Sequence, residues 1–206
     1  RNRTQAAVLI VLGLLMSQTL AAEAAPRAFP GAVGFGASAT GWTGGEVIPV
    51  TTLADAGAGS LRACVEKGEM PRICVFQVSG TITLDTPLFF RSNLYVAGQT
   101  APGQGIQIRL GKSRATPVII KNASDVVVRF LKVRPGPSEQ PSSSVDAVTL
   151  ENATRVYLDH LSLMFSTDEN LGIHVSRERS SDITVANSIS AWALDHANHP
   201  KGRHSK

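Results

Sequence analysis

Acidic side chains collect in one short stretch of this chain: Asp146, Glu151, Asp159, Asp168 and Glu169, with His160 directly after Asp159. Several carboxylates brought together can hold a hard divalent cation such as calcium, which takes most of its ligands as oxygens. Carboxylates at turns are also common as plain solvated charges, so the spacing alone leaves both readings open. An EF-hand is excluded, because its regularly spaced Asp loop is absent.

These acids must be positioned by something, and the chain repeats itself around them. Asn93-Leu94-Tyr95-Val96, Ser124-Asp125-Val126-Val127-Val128-Arg129 and Thr154-Arg155-Val156-Tyr157-Leu158-Asp159-His160 read as one strand written three times, and Ser181-Asp182-Ile183-Thr184-Val185 follows as a fourth copy. A period of about 30 residues is the signature of a solenoid, in which each repeat buries its apolar face only against its neighbours. Short β runs broken by Gly and Pro turns fill the rest, and no helical stripe is long enough for a βαβ crossover. The fold class is therefore all-β, a parallel β-helix.

Repeats on successive coils stack at the strand spacing of about 4.8 Å. Alignment puts Asn122 over Asn152, where the two side chains can hydrogen-bond as a ladder. Both also begin formal N-glycosylation sequons, which inward stacking would make unavailable. The same alignment puts Arg129 over Asp159. An ion pair there makes Asp159 and His160 structural residues and moves the chemistry to Asp146, Asp168 and Glu169. At the other end, Ser60 is a natural N-cap for a short amphipathic helix over 61–66 that stops at Gly68. Such a helix can cover the open end of a solenoid.

The first residues lie outside this pattern. A basic start at Arg1 and Arg3, an apolar run over 6–16 and the small-x-small site Ala22-Glu23-Ala24 make the layout of a secretory signal peptide, residues 1–24. The run of about 11 residues falls short of the ~20 that span a bilayer. The expected organisation is a signal peptide followed by one β-helix domain over 25–206, secreted, monomeric and free of the membrane after cleavage. In that compartment Cys64 and Cys74, the two cysteines of the chain, can form a short local disulfide; two buried thiols are the alternative. The formal net charge of +4 is mild and scattered, and aromatic residues are few. Nucleic acid is therefore a poor partner, while an acidic polysaccharide remains open.

Several motifs, in order, resemble a known family. Val156-Tyr157-Leu158-Asp159-His160 is similar to the hydrophobic-Trp-hydrophobic-Asp-His signature of pectate lyases, the right-handed parallel β-helix enzymes of polysaccharide lyase family 1, with Tyr157 at the Trp position. Phe29-Pro30-Gly31-Ala32, Gly59-Ser60-Leu61-Arg62, Val78-Ser79-Gly80-Thr81-Ile82, Ala97-Gly98-Gln99-Thr100-Ala101-Pro102-Gly103 and Ser166-Thr167-Asp168-Glu169-Asn170 also resemble segments of that family. The resemblance implies cleavage of polygalacturonate by Ca²⁺-dependent β-elimination. It implies that Asp146 and Asp168, with Glu169 as an alternate, are calcium ligands, and that Lys201 holds a substrate carboxylate. A further acidic ligand falls at Gly172, which is not acidic. The family's arginine base sits in an Arg-x-Pro-x-x-Arg segment that does not occur here. The chain therefore reads as a fragment lacking the C-terminal coils, with the catalytic arginine expected beyond Lys206 and no base assigned among the residues given. A β-helix glycoside hydrolase with paired acids, or a β-helix that binds glycans without cleaving them, are the rival readings.

Overall fold

The computed structural model describes residues 26–112, 115–137, 144–195, 199 and 201. Residues 1–24, read from the sequence as a signal peptide, lie outside the described residues, and so does the tail over 202–206 that ends at Lys206. From β1 (Glu46–Val50) onward the chain climbs in coils, each contributing one strand to each of up to three sheets. The first full coil is β2 (Arg72–Phe76), β3 (Gly80–Leu84) and β4 (Leu88–Phe89). Then come β5 (Leu94–Ala97), β6 (Ile106–Leu110) and β7 (Val118–Lys121). The third is β8 (Ser124–Arg129), β9 (Leu131–Val133) and β10 (Val148–Glu151). The fourth is β11 (Thr154–Asp159), β12 (Ser162–Met164) and β13 (Leu171–His174). β14 (Ser181–Ala186) and β15 (Ile189–Ala191) begin the next. Every pairing is parallel, giving sheets of six, five and four strands wound as a solenoid of about five turns.

The core is a set of columns, because parallel pairing places equivalent residues in register. Ile48, Cys74, Val96, Val128 and Leu158 form one column in the six-stranded sheet. Leu94, Val126 and Val156 form another and are fully buried. β-branched and leucine side chains suit such columns, since each presents a flat apolar surface to the coil above and below.

One end of the columns is closed by α1 (Leu61–Val65). Ser60 caps it, its hydroxyl accepting from the Ala63 N–H at 3.2 Å, and Leu61, Cys64 and Val65 face the core. Arg72 is buried beneath the helix. Its guanidinium donates to the carbonyls of Cys64, Val65, Ser92 and Met70, which places a cation at the helix C-terminus and satisfies carbonyls that the helix leaves open. A disulfide joins Cys64 to Cys74, tying α1 to β2 with Cα atoms 6.0 Å apart.

The Gly-rich segment before β1 offers no periodicity, yet it lies ordered across the outer face of the six-stranded sheet. Phe29 packs edge-on against Tyr157 and Trp42 against Tyr95, each with centroids 4.9 Å apart. Gly36 presses so close that a side-chain carbon would meet the Val156 carbonyl at 2.3 Å. The Val33 and Gly36 amides donate to Tyr157 Oη and Thr184 Oγ1. This strap makes the outer face a second apolar layer around Val127 and Tyr157.

Candidate metal centre

Two turns of successive coils meet beside the four-stranded sheet. One leads into β10 and carries Asp146; the other leads into β13 and carries Asp168 and Glu169. Backbone bonds lock them together: the Thr167 and Asp168 amides donate to the Val145 carbonyl, and the Ala147 amide donates to the Glu169 carbonyl. Ser166 holds the second turn from within, donating to the Asp168 carbonyl and to Asn170 Oδ1, while Asn170 Nδ2 donates to the Ala191 carbonyl. The local sequence therefore folds to bring acids from two coils side by side.

The result is a tight group. One oxygen each from Asp146, Asp168 and Glu169 lie within 4.8 Å of one another. Asp146 and Asp168 are only 5% and 6% exposed. Thr149 Oγ1 donates to Asp146 Oδ2 at 2.5 Å, the Glu169 amide donates to Asp146 Oδ1 at 3.2 Å, and the Asp146 amide donates to Thr116 Oγ1. Burial pushes the Asp146 carboxyl up to about 6; the Thr149 hydroxyl opposes this, and the adjacent Glu169 carboxyl adds to the rise. A carboxyl raised in this way favours a proton or a cation at its oxygens.

The donor set fits calcium. Oxygens on opposite sides of one calcium ion, each about 2.4 Å from it, would be ~4.8 Å apart, so three oxygens within that limit can share an ion. They are hard ligands, and water can supply the remainder.

Two histidines that the sequence reading passed over border the group. His174 Nε2 is 3.8 Å from Asp146 Oδ2. The buried His199 has Nε2 4.0 Å from Asp168 Oδ2, and its Nδ1 accepts from the Lys201 amide at 3.1 Å. Lys201 is exposed on that turn. The strand period of two would have found His174, which shares a face with Gly172; Thr116, Thr149 and His199 carry no comparable signal. No arginine is assigned as the base, and Lys206 lies outside the described residues.

The other residues singled out in the sequence lie elsewhere. Arg129 and Asp159 stack in register on the six-stranded sheet, with Nε to Oδ2 at 2.7 Å. Asp159 also takes Asn187 Nδ2 at 2.9 Å and lies 2.9 Å from His160 Nδ1. Burial works against its charge, but hydrogen bonds from Asn187, His160 and Arg129, with the guanidinium charge, outweigh it and hold the carboxyl below its usual range. His160 stacks on Phe130 with centroids 4.3 Å apart. Asn152 Nδ2 donates to Asn122 Oδ1 at 3.0 Å across the coils. Its own Oδ1 accepts from the amides of Ser176, Arg177 and Glu178.

Comparison with known proteins agrees with this architecture. No family model matches the chain. "Probable pectate lyase C" of Emericella nidulans is 40% identical over 168 residues, which are 82% of this chain and 37% of that protein. The Aspergillus fumigatus protein of the same name is 39% identical over the same shares. "Pectate lyase 1" of Cryptomeria japonica is 28% identical, over 77% of this chain and 45% of its own length. Among solved structures, Jun a 1, the major allergen from cedar pollen, has the same fold with a TM-score of 0.59 and 24% identity, over 75% of this chain and 47% of that one. The chain thus spans less than half the length of the relatives it matches. Over the residues they share, sequence and fold together make this chain a member of the pectate lyase family.

Proposed function

We propose that this protein acts on acidic polysaccharide, cleaving polygalacturonate by calcium-dependent β-elimination. The observation that carries the reading is the buried acidic group. Asp146, Asp168 and Glu169 crowd three carboxylates within reach of one ion, in a chain homologous to named pectate lyases. These three side chains would hold the ion. Bound calcium would neutralise the substrate carboxylate and make the proton on the adjoining carbon more acidic.

The chain's own residues have simpler tasks. Asp146 is fixed by Thr149 and the Glu169 amide, so its oxygens are aimed before anything binds. Lys201 offers an ammonium to a uronate carboxylate. No Arg-x-Pro-x-x-Arg segment occurs between Arg1 and Lys206, and no proton-abstracting residue is assigned among the 206 residues. Secretion is part of the proposal, supported by the apolar run over 6–16 and by a buried disulfide. Among the described residues, no helix is long and apolar enough to cross a membrane. The working unit is read as a monomer.

The test is to incubate a version of the protein extended to the full length of its pectate lyase relatives with polygalacturonate, with and without Ca²⁺, and follow the ultraviolet absorbance of the unsaturated product. Calcium-dependent absorbance is expected, and Asp146→Ala should abolish it. Full activity in that variant would remove the metal assignment. New reducing ends without absorbance would indicate a glycoside hydrolase, and binding with neither signal a non-catalytic glycan-binding β-helix.

A further inference from the structure

Asn122 and Asn152 each begin an Asn-x-Ser/Thr triplet, Asn122-Ala123-Ser124 and Asn152-Ala153-Thr154, and the stack does not treat the two alike. Asn152 is 8% exposed and every polar atom of its side chain is engaged. Its Oδ1 accepts from the amides of Ser176, Arg177 and Glu178, which fixes which way its amide group faces. Both hydrogens of its Nδ2 are donated, to Asn122 Oδ1 and to Ser176 Oγ, each at 3.0 Å. Asn122 is exposed at the end of the stack, in a left-handed turn at φ 50. It meets Asn152 through Oδ1 alone, and its Nδ2 donates to none of the described residues. Beside it opens a cavity of about 620 Å³ lined by Lys121, Asn122, Asn152, Ser176, Arg177 and Glu178, a size that holds a small ligand.

We infer that Asn122 accepts an N-linked glycan and that Asn152 does not. The inference goes beyond the proposed activity and rests on the reading of the chain as secreted, because the co-reactant, an oligosaccharide carried on a polyprenyl diphosphate, belongs to that route. In the transfer the side-chain nitrogen forms a bond to C1 of the first sugar as the bond from C1 to the diphosphate oxygen breaks. The amide gives up one proton and the polyprenyl diphosphate leaves. A glycosylated asparagine keeps its Oδ1 and one N–H. At Asn122 that suffices, because the bond across the coils uses Oδ1, and the sugar has solvent and the neighbouring cavity to occupy. At Asn152 the sugar would replace a hydrogen already donated, at a buried position that three backbone amides close around. Transfer precedes folding, so both triplets are open to it in the unfolded chain. The structure then decides which modified chain folds: a glycan on Asn122 is compatible with the stack, and one on Asn152 dismantles it.

The test is to express the full chain, with its own residues 1–24, in a eukaryotic secretory host and to map the protein from the medium by peptide mass spectrometry after peptide:N-glycosidase, which leaves aspartate at each former acceptor. The peptide holding Asn122 should be converted and the peptide holding Asn152 should not. Asn122→Gln should remove the glycan and the mobility shift that the glycosidase causes. Ser124→Ala should do the same while leaving Asn122 in place, and the Ser124 hydroxyl makes no hydrogen bond to a described residue whose loss could disturb folding. Thr154→Ala, which destroys only the second triplet, should leave the glycan and the shift unchanged. Protein in the medium without a glycan at Asn122, or with one at Asn152, would overturn the inference and leave secretion standing. A chain that stays inside the cell, unglycosylated and with residues 1–24 still attached, would overturn both.

Discussion

Asp159 and Asp146 are both buried carboxylates on successive coils of one solenoid, and the protein treats them in opposite ways. Asp159 is surrounded by its own donors: Arg129 one coil below, Asn187 one coil above and His160 beside it. Its charge is satisfied within the fold and its pKa falls. Asp146 receives a hydroxyl and a backbone amide, but burial and the neighbouring acid Glu169 raise its pKa. Stacking equivalent positions is how a β-helix brings residues together, and it can pair opposite charges or crowd like ones. The first arrangement holds the scaffold together. The second leaves a buried carboxylate crowded by a like charge, which a cation at the proposed site would relieve.

The largest effect should come from breaking the satisfied side of this comparison. Arg129→Met leaves Asp159 buried, 1% exposed, without its cation. It also removes the guanidinium that lies 3.8 Å from the Phe29 ring centroid and helps hold the strap. A loss of about 3 kcal/mol is expected in urea unfolding at pH 7, because an uncompensated buried charge costs more than the pair contributed. Asp146→Asn, which removes charge from the crowded side, should in chelator leave stability unchanged or raise it. A loss of similar size in both variants would erase the distinction.

The two acids should also impose opposite pH dependences in the absence of metal. Asp146 has a folded pKa of about 6, above its unfolded value near 4. Between those values the folded state holds a proton that the unfolded chain has released, so stability is full below about pH 4 and falls as pH rises through 6, by about 3 kcal/mol. Asp159 has a depressed folded pKa, so its contribution is present above about pH 4 and is lost as pH falls through the folded value. Urea midpoints in chelator should therefore peak in the acid range, at about pH 4–5. Asp146→Asn should flatten the decline above the peak, and a divalent cation should reverse it at pH 7. A decline that persists in Asp146→Asn would place its origin elsewhere.

The satisfied side is readable in the sequence because it is periodic. Copies about 30 residues apart mark the strands, usually to within a residue or two, and put Arg129 over Asp159 and Asn122 over Asn152. The N-terminal strap is not readable. It has no period, and Phe29 and Trp42 make their contacts with Tyr157 and Tyr95, far away in the chain. The acidic group is half readable. Asp146, Asp168 and Glu169 announce themselves as acids, while Thr149 and His174 belong to strands whose outward positions look like ordinary surface until Gly172 is seen between them. A solenoid repeats its scaffold and breaks the repeat where it acts, so the repeat reveals the frame and conceals the site.

The smallest effect separates two members of one stack. Asn152 adopts φ 50, a left-handed turn that asparagine and glycine tolerate, and so does Asn122. Asn152→Gly keeps the backbone free of strain and removes only the side chain. That side chain donates to Asn122 and Ser176 and accepts three amides from the turn after β13, so a loss of about 1.5 kcal/mol is expected. Asn122 lies at the exposed end of the ladder, where water can replace its bond to Asn152, and Asn122→Gly should cost about 0.5 kcal/mol. Thermal unfolding of both variants at pH 7 reads the difference. The turn that Asn152 organises leads on from His174, so loosening it should leave the Arg129–Asp159 pair intact but weaken cation binding slightly. Equal losses for the two variants, with no change in metal affinity, would mean that the asparagines serve the turn locally and do not brace the site.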